Sequence, residues 1–315
     1  MTGRPVDIRG LYYFVRIAEL GSITRASVHL NVAQPALSRH VQRLEERLGV
    51  PLLVRESRGI RLTDAGQQLQ EHAARILREL QRAEDEVRGS AASPSGKVVL
   101  GVTPTLCPVI TPRLFADIRE THPRIELKIA ESSSVPLLDW LVEGRIDLAV
   151  VTEPAPSRRL SIHPLAEEEM VLASAPGARR DGPVGPDDLD GASLILSDGL
   201  RTILETLLSP AMLARQVILE LNSIETIRIM VRQGTGESIL PLSVLQADAD
   251  PNRLSAHRIG EAGLYRKLAL VHTATRRVSA AGQAVMASVR AIFAELDERG
   301  AFGLEQTAQD QSAAV

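Results

Sequence analysis

The chain is poor in cysteine and in aromatic residues, and it has no long apolar segment. Cys107 is the single cysteine among 315 residues, so no disulfide can form within the chain and a zinc cluster is disfavoured. Aromatic residues make up 3%, which argues against stacking of nucleic-acid bases on aromatic side chains. No apolar run approaches the roughly 18 residues of a membrane span, and residues 1–10 lack the apolar core of a secretory signal. We therefore expect a cytoplasmic protein that has no membrane partner.

Charge is unevenly distributed along the chain. Residues 1–62 contain ten arginines and five acidic residues, a net charge of +5, although the whole chain carries −3. The remainder of the chain is therefore acidic. A basic amino-terminal segment on an acidic body is typical of a local phosphate-binding surface, and a solvated surface without a partner is the alternative.

Two short helices joined by a tight turn are predicted in the amino-terminal segment. After a first amphipathic helix that ends at Gly21, a second helix covers 23–30 and a third begins at Gln34 and Pro35, since proline is tolerated in a first turn. The stripe that we expect the third helix to bury consists of Leu37, Val41, Leu44 and Leu48. Its other faces carry side chains that hydrogen-bond to base edges and phosphates, namely Gln34, Ser38, Arg39, Gln42 and Arg43. This arrangement is typical of a helix-turn-helix.

A short hairpin is predicted directly after the third helix. Two apolar segments, 52–55 and 60–62, are separated by a glycine-containing turn. Arg58 at the tip, flanked by Arg55 and Arg61, would let such a wing reach the DNA backbone or the minor groove. The alternative is a surface hairpin whose arginines are simply solvated.

The segment 14–63 is similar to the winged helix-turn-helix of the LysR-type transcriptional regulators. The similarity is carried by GSITRAS (21–27), AQPALSRHVQRLEERLG (33–49), PLLVRESRG (51–59) and LTDAG (62–66), in the family's order. Leu53 and Ser27 depart from the pattern, because phenylalanine and alanine are more usual there. The resemblance implies a major-groove face made of Gln34, Pro35, Ser38, Arg39 and Gln42. It also implies wing contacts from Arg55 and Arg58, with Arg58 in the minor groove, and backbone contacts from Ser22, Thr24 and Arg25.

A long helix is predicted from Thr63 and Asp64 to Arg88. It carries a heptad seam made of Leu69, Ala73, Ile76, Leu80, Ala83 and Val87. A symmetric dimer would bury this narrow stripe and pair two DNA-binding heads, whereas packing on its own domain is the alternative. The family uses this helix for dimerisation and commonly forms tetramers from two dimers. A Gly- and Ser-rich hinge follows, up to residue 96.

The rest of the chain alternates predicted strands and helices, which indicates a mainly parallel sheet with ligands at the carboxyl ends of the strands. The family resemblance implies a two-lobed body like that of a periplasmic binding protein. It is carried here by EGRIDLAVV (143–151) and VRQGTGESILP (231–241). In the second motif, Glu237 stands where an apolar residue is usual. The expected domains are a winged helix-turn-helix over 1–62, a linker helix and hinge over 63–96, and an effector-binding domain over 97–301. Within the last, lobe I covers 97–166 and 269–301 and lobe II covers 167–268; residues 302–315 are expected to be a disordered tail.

Hydroxyl side chains stand where predicted strands meet predicted helices, and free backbone N–H groups at helix starts suit a carboxylate or another small anion. By resemblance to the family's effector cleft, the candidates are Thr103, Thr105, Thr152 and Ser197, with Arg201 as a countercharge. Each could instead be a turn-former or a helix cap. Cys107 lies near the same place, where a redox role is conceivable, but a small apolar role fits a lone cysteine better.

The sequence therefore predicts a DNA-binding transcription regulator controlled by a small molecule, and not an enzyme. It contains no GxSxG elbow, no Walker loop and no HExxH, and its seven histidines lack metal-ligand spacing, so we expect no metal and no cofactor. The expected partners are promoter DNA, a second copy of the chain and, from the resemblance, RNA polymerase. A solute-binding protein and a non-specific architectural DNA-binding protein are the competing hypotheses.

Overall fold

The computed structural model of the chain describes residues 7–56, 59–88, 94–180, 182–185, 192–207, 216–246 and 253–304. The chain divides into two compact units, Met1–Gly89 and Ser90–Val315. Arg58 at the predicted wing tip, most of the predicted hinge and the chain beyond residue 304 lie outside the described residues, as does the side chain of Arg55.

The first unit contains the predicted helices and hairpin in the predicted order. Its elements are α1 (Ile8–Leu20), α2 (Ile23–Leu30), α3 (Gln34–Leu48), β1 (Leu53–Glu56), β2 (Gly59–Leu62) and α4 (Asp64–Arg88). Local signals set these bounds. Gly21 ends α1 with a φ of 59°, and the hydroxyl of Ser22 accepts a hydrogen bond from the backbone N–H of Arg25 at the start of α2.

Helix α3 is held against α1 by its apolar side. Leu37 and Val41 share a buried cluster with Ile17, and Leu44 shares a second cluster with Phe14. The prediction that Leu48 belongs to the buried stripe is wrong, because this side chain is 42% exposed. Leu48 lies in the last turn of α3, one turn past the last side chain of the helix that reaches a cluster.

The wing is fixed to the helices at close range. Gly59 has a φ of 139°, and a Cβ there would lie 2.8 Å from the carbonyl oxygen of Gly21. That same oxygen accepts the N–H of Ile60 at 3.0 Å. Behind the hairpin, a Cβ at Gly66 would lie 2.1 Å from the carbonyl oxygen of Leu52, so only glycine fits there.

The predicted heptad seam of α4 has two parts. Ala73 is fully buried, with Leu69 packed against the same cluster of the first unit, so the seam begins by packing on its own domain. Ile76 and Leu80 are 45% and 38% exposed, and Ala83 is exposed as well. The prediction that the whole seam faces a partner helix is therefore wrong for its first two positions.

The second unit alternates strands and helices. Its strands are β3 (Gly96–Val102), β4 (Ile125–Glu131), β5 (Leu148–Thr152), β6 (Leu160–Ser174), β7 (Leu194–Leu196), β8 (Val217–Glu220), β9 (Ser238–Pro241), β10 (Ser255–Arg258) and β11 (Leu264–Thr273). The helices described by the structure are α5 (Cys107–Thr121), α6 (Ser134–Val142), α7 (Asp198–Leu207), α8 (Ile224–Arg232), α9 (Leu242–Gln246) and α10 (Ala280–Glu298).

The main sheet has seven strands in the order β10-β6-β11-β5-β3-β4, with β9 also paired to β6, and β7 pairs with β8 separately. The prediction of a mainly parallel sheet is wrong. Among the strands that the structure describes, only β4-β3-β5 and β7-β8 pair in parallel. The long strands β6 and β11 run antiparallel to each other and to the strands they pair with.

Strands β6 and β11 carry the chain between two hydrophobic cores. Ala166 on β6 packs against one core, whereas Met170, four residues later, belongs to the other. On β11 the order is reversed, since Leu264 packs against the second core and Leu268 belongs to the first. We call the part around β3–β5, α5, α6 and α10 lobe I, the part around β7–β10 and α7–α9 lobe II, and the residues 167–169 and 266–268 the crossover. The two-lobed α/β fold is confirmed.

The carboxyl-terminal end of the described chain belongs to the core. Phe302 is 2% exposed and its ring stacks on Phe293 with the centroids 5.7 Å apart. The prediction of a disordered tail from residue 302 onward is therefore wrong at its start, since the aromatic side chain of Phe302 packs in the core of lobe I.

A buried ion pair occupies the crossover. The guanidinium of Arg266 donates to the Glu168 carboxylate at 2.9 and 2.7 Å, and both side chains are fully buried. Arg266 also donates to the hydroxyl of Thr105 at 3.1 Å, and Glu168 accepts the backbone N–H of Ser243 at 3.1 Å. The pair therefore links the crossover to lobe I through Thr105 and to lobe II through Ser243, and each charge has the partners that burial requires.

We predict that Arg266→Met lowers the free energy of unfolding by about 3–5 kcal/mol, because it leaves the Glu168 carboxylate buried without its cation. Lys97→Met, which breaks the exposed pair with Glu126, should change it by less than about 1 kcal/mol. Urea denaturation followed by circular dichroism measures both. Equal urea midpoints for Arg266→Met and the unmodified protein would contradict the stabilising role of the pair.

Candidate nucleic-acid interface and ligand cleft

The polar side of α3 is open to solvent. Gln34, Pro35, Arg39 and Gln42 are exposed and Ser38 is half-buried. Residues 34, 38 and 42 are spaced by four, so they form one line along the helix. This line lies away from the buried stripe, and it begins at the amino-terminal turn, the part of a recognition helix that meets base edges.

Neighbouring side chains hold α3 and its polar groups in place. The ring of His40 meets that of Tyr13 edge-on, with the centroids 5.0 Å apart. The Nε of Arg39 donates to the carbonyl oxygen of Pro35 at 3.3 Å, which lays this side chain along the helix. Oε1 of Glu45 accepts the N–H of Leu52 at 2.8 Å, so α3 also positions the start of the wing.

The start of α2 provides a second group of polar residues. The hydroxyl of Ser22 acts as the helix cap, while Thr24 and Arg25 are exposed. The guanidinium of Arg25 donates to the carbonyl oxygen of Leu20 at the end of α1. These residues could bind phosphate oxygens, because hydroxyl, guanidinium and helix-start N–H groups are the usual phosphate donors.

In lobe I, the carboxyl ends of β3, β4 and β5 place hydroxyl groups at one edge of the sheet. Thr103 follows β3 and Thr152 ends β5, as the sequence predicts. Ser134, at the start of α6, was not among the predicted residues. Its hydroxyl lies 3.1 Å from that of Thr152 and accepts the backbone N–H of Thr152 at 3.1 Å. The serine run 132–134, where β4 gives way to α6, was the signal in the sequence, since it repeats the order of strand, hydroxyl and helix seen at Thr103.

In lobe II, Ser197 follows β7 and caps α7, with its hydroxyl accepting the N–H of Leu200 at 3.2 Å. The two lobes meet beside it, because a Cβ at Gly199 would lie 3.7 Å from the Cβ of Ser133 in lobe I. The cleft is therefore bounded by the starts of α6 and α7. Helix starts carry partial positive charge, which favours an anion, although Asp198 adds a negative charge in the first turn of α7.

The predicted effector residues differ in how their hydroxyls are used. The hydroxyls of Thr105 and Thr152 are engaged, the first by Arg266 and the second by Ser134. Thr103 is 5% exposed, and its hydroxyl is buried without a hydrogen-bond partner among the described residues. An unpaired buried hydroxyl is costly unless a ligand or a water satisfies it, so Thr103 stays a candidate for contact with a polar ligand.

Arg201, which the sequence suggested as a countercharge, is already paired with carboxylates. Its guanidinium binds Glu205, with Nε to Oε1 at 2.9 Å, and it also binds Glu220. Two carboxylates therefore already neutralise this cation. Glu237, the departure noted in the sequence, is paired in a similar way with Arg180 at 2.9 Å and accepts from the hydroxyl of Ser174.

Cys107 begins α5 at the edge of the cleft and is half-buried. Burial raises the pKa of its thiol, and the carboxylate of Glu131 raises it further, whereas a hydrogen bond with Thr111 opposes the shift. A raised pKa keeps the thiol protonated at neutral pH, so this cysteine is a poor nucleophile. Among the residues that the structure covers, no three His, Cys, Asp or Glu side chains group together as metal ligands. Within the same residues, no helix is both long and apolar enough to cross a bilayer.

Two family models match the chain. The model described as "Bacterial regulatory helix-turn-helix protein, lysR family" matches residues 8–67, and the model described as "LysR substrate binding domain" matches residues 91–294. One match falls within each structural unit.

Curated relatives and solved structures agree with these matches. The nitrogen assimilation regulatory protein nac of Klebsiella aerogenes is 31% identical over 287 residues, which cover 89% of this chain and 93% of the relative. The DNA-binding transcriptional dual regulator OxyR of Escherichia coli K12 is 33% identical over 242 residues, or 75% and 79% of the two chains. Full-length OxyR from Pseudomonas aeruginosa has a TM-score of 0.69 at 22% identity and covers 92% and 95%. Full-length CbnR complexed with its target DNA has a TM-score of 0.67 at 22% identity and covers 91% and 99%.

Some relatives are named hydrogen peroxide-inducible genes activators, which raises the question of whether Cys107 reacts with peroxide. Because its thiol stays protonated, we predict that it reacts slowly. We expect iodoacetamide to alkylate Cys107 more slowly than a free cysteine at pH 7.5, with a rate that rises only as the pH approaches its raised pKa. Hydrogen peroxide should leave DNA affinity unchanged. A peroxide effect on DNA affinity that is lost in Cys107→Ser would contradict this expectation.

Proposed function

The chain belongs to the LysR family of bacterial transcription regulators, and from this membership we propose that α3 reads the target sequence while the cleft between the lobes binds a small anion or carboxylate as the effector. It is a DNA-binding transcription regulator with an effector-binding domain, and its relatives are regulators and not enzymes. A cytoplasmic location, where DNA is accessible, is part of the proposal.

The observation that supports DNA reading is the division of α3 into two sides. Gln34, Ser38 and Gln42 carry amide and hydroxyl groups in one line, and amides pair well with adenine. Pro35 and Arg39 flank this line, and Arg39 suits guanine or phosphate. We assign Ser22, Thr24 and Arg25 to the phosphates. Arg55 and Arg58 remain our candidates for the wing, with Arg58 in the minor groove.

The exposed part of the α4 seam supports self-association. Ile76, Leu80 and Ala83 are spaced by four and three residues, which is the pattern of a coiled-coil interface, and all three are exposed in the single chain. We propose that two chains pair along these residues, so that two copies of α3 address a symmetric DNA site. A dimer of dimers and contact with RNA polymerase are the further partners implied by the family.

The buried hydroxyl of Thr103 supports the effector proposal. Thr103 follows β3, and its backbone N–H donates to the carbonyl oxygen of Val150 on β5, the strand that ends at Thr152. A carboxylate there would accept hydrogen bonds from hydroxyls and from the N–H groups at helix starts. Thr105 contributes through its bond with Arg266, and Arg201 is left out of the site because it is already paired.

We predict that Gln34→Ala weakens binding to a genomic fragment selected by the unmodified protein by about 5- to 150-fold, the range of 1–3 kcal/mol per base contact. Its effect on random DNA should be small. Arg25→Ala should weaken both kinds of DNA alike and lower the salt dependence by about one counterion. Fluorescence anisotropy at several salt concentrations measures these affinities.

The matched control for this series is Arg47→Ala, an exposed residue on α3 that lies off the polar line. It should leave the ratio of specific to random affinity unchanged. An equal loss of that ratio in Arg47→Ala, or none in Gln34→Ala, would show that another surface reads the sequence.

We predict that Thr103→Val keeps the melting temperature within about 2 °C, because the lost hydroxyl has no partner and the volume is preserved. The same change should lower the affinity for small carboxylates about tenfold, because one charge-assisted hydrogen bond is lost. Thermal-shift titrations with a panel of carboxylates and the matching primary amides provide the measurement, and the amides should not stabilise.

Ser238→Ala is the control, since Ser238 also has a buried hydroxyl without a partner among the described residues but belongs to β9 of lobe II. It should bind carboxylates normally. Undiminished carboxylate stabilisation in Thr103→Val, or equal stabilisation by the amides, would rule out the proposed site.

A further inference from the structure

Residues 300–304, which we call the strap, connect the two lobes a third time. After α10 the chain continues along both lobes, and its next residues contact both cores. Phe302 belongs to the core of lobe I, whereas Leu304 packs against the core of lobe II. Five residues therefore reach from one lobe to the other, in addition to β6 and β11.

Hydrogen bonds hold the strap along its length. At its start, the carbonyl oxygen of Gly300 accepts from the side-chain amide of Gln246 in lobe II at 3.3 Å. In its middle, the carbonyl oxygen of Phe302 accepts the backbone N–H of Glu169 at 2.8 Å. At its end, the backbone N–H of Leu304 donates to Oε2 of Glu169 at 2.9 Å.

Glu169 is the anchor of the strap. It is fully buried in the crossover, and its carboxylate also binds Arg258 of lobe II at 2.9 Å. Its neighbour Glu168 holds Arg266, as described above. Successive side chains of a strand point to opposite faces, so the carboxylates of Glu169 and Glu168 bind their partners on opposite faces of the sheet.

We propose that the strap sets the angle between the two lobes and limits their opening. A wider cleft would require the Phe302 ring to leave the core of lobe I, or Leu304 to leave both lobe II and Glu169. This restraint acts within the second unit and does not depend on the proposed function. Any effect of the restraint on how an effector controls DNA binding does rest on the proposed function.

The distance between the lobes tests this restraint without DNA or any ligand. Spin labels at Asp139→Cys on α6 and Gln233→Cys after α8, both exposed, would be introduced into a Cys107→Ala chain and diluted with unlabelled protein. Chains that end at residue 304 should give the same narrow distance distribution as the full chain. Chains that end at residue 299 should give a broader distribution at longer distances, with a melting temperature lower by about 5–10 °C from the loss of Phe302.

A point variant keeps the test valid if the shorter chain fails to fold. Leu304→Pro removes the N–H that binds Glu169 and keeps an apolar side chain, and it should also broaden the distribution. Leu304→Ala retains the N–H and serves as its control, with a smaller effect. Identical distributions for Leu304→Pro and the unmodified chain, or for folded chains ending at 299 and 304, would overturn the proposal.

Discussion

The apolar packing of α3 is the contact on which the proposed DNA-binding face depends. Leu37 and Val41 share a buried cluster with Ile17, so the helix is held from behind over successive turns. Because α3 is fixed along its apolar side, its opposite side faces solvent, and the polar side chains there need no further contacts to remain exposed. The wing depends on the same packing, because Glu45 of α3 accepts the N–H of Leu52. One buried stripe therefore positions both elements that would touch DNA.

In the second unit, two strands that both lobes share hold the lobes in position. Because β6 and β11 are paired in one sheet and contribute to both cores, they join the two lobes at the crossover. Arg266 and Glu168 neutralise each other there, and Thr105 attaches the cleft to that pair. An effector bound at Thr103, as proposed, would lie two residues along the chain from Thr105, which binds Arg266 of that pair. This proximity gives a physical route from ligand binding to lobe movement.

The accuracy of the sequence predictions follows the range of the interactions involved. The bounds of α2 and the start of α3 were predictable because caps, proline and apolar spacing act within a few residues. The length of β6 was not, since its crossover reads as a run of three glutamates, and the partner of Glu168 lies 98 residues away. For the same reason Arg201 could be placed near the cleft but not its two carboxylate partners, and Phe302 could not be recognised as a core residue.

The central claim is that two copies of α3 read a symmetric DNA site. Hydroxyl-radical footprinting of the full-length protein on a selected genomic fragment tests it most directly. The account predicts two protected patches on one face of the duplex, related by two-fold symmetry and separated by a whole number of helical turns of about 10 base pairs. Continuous protection that does not depend on sequence, or a single unpaired patch, would contradict it.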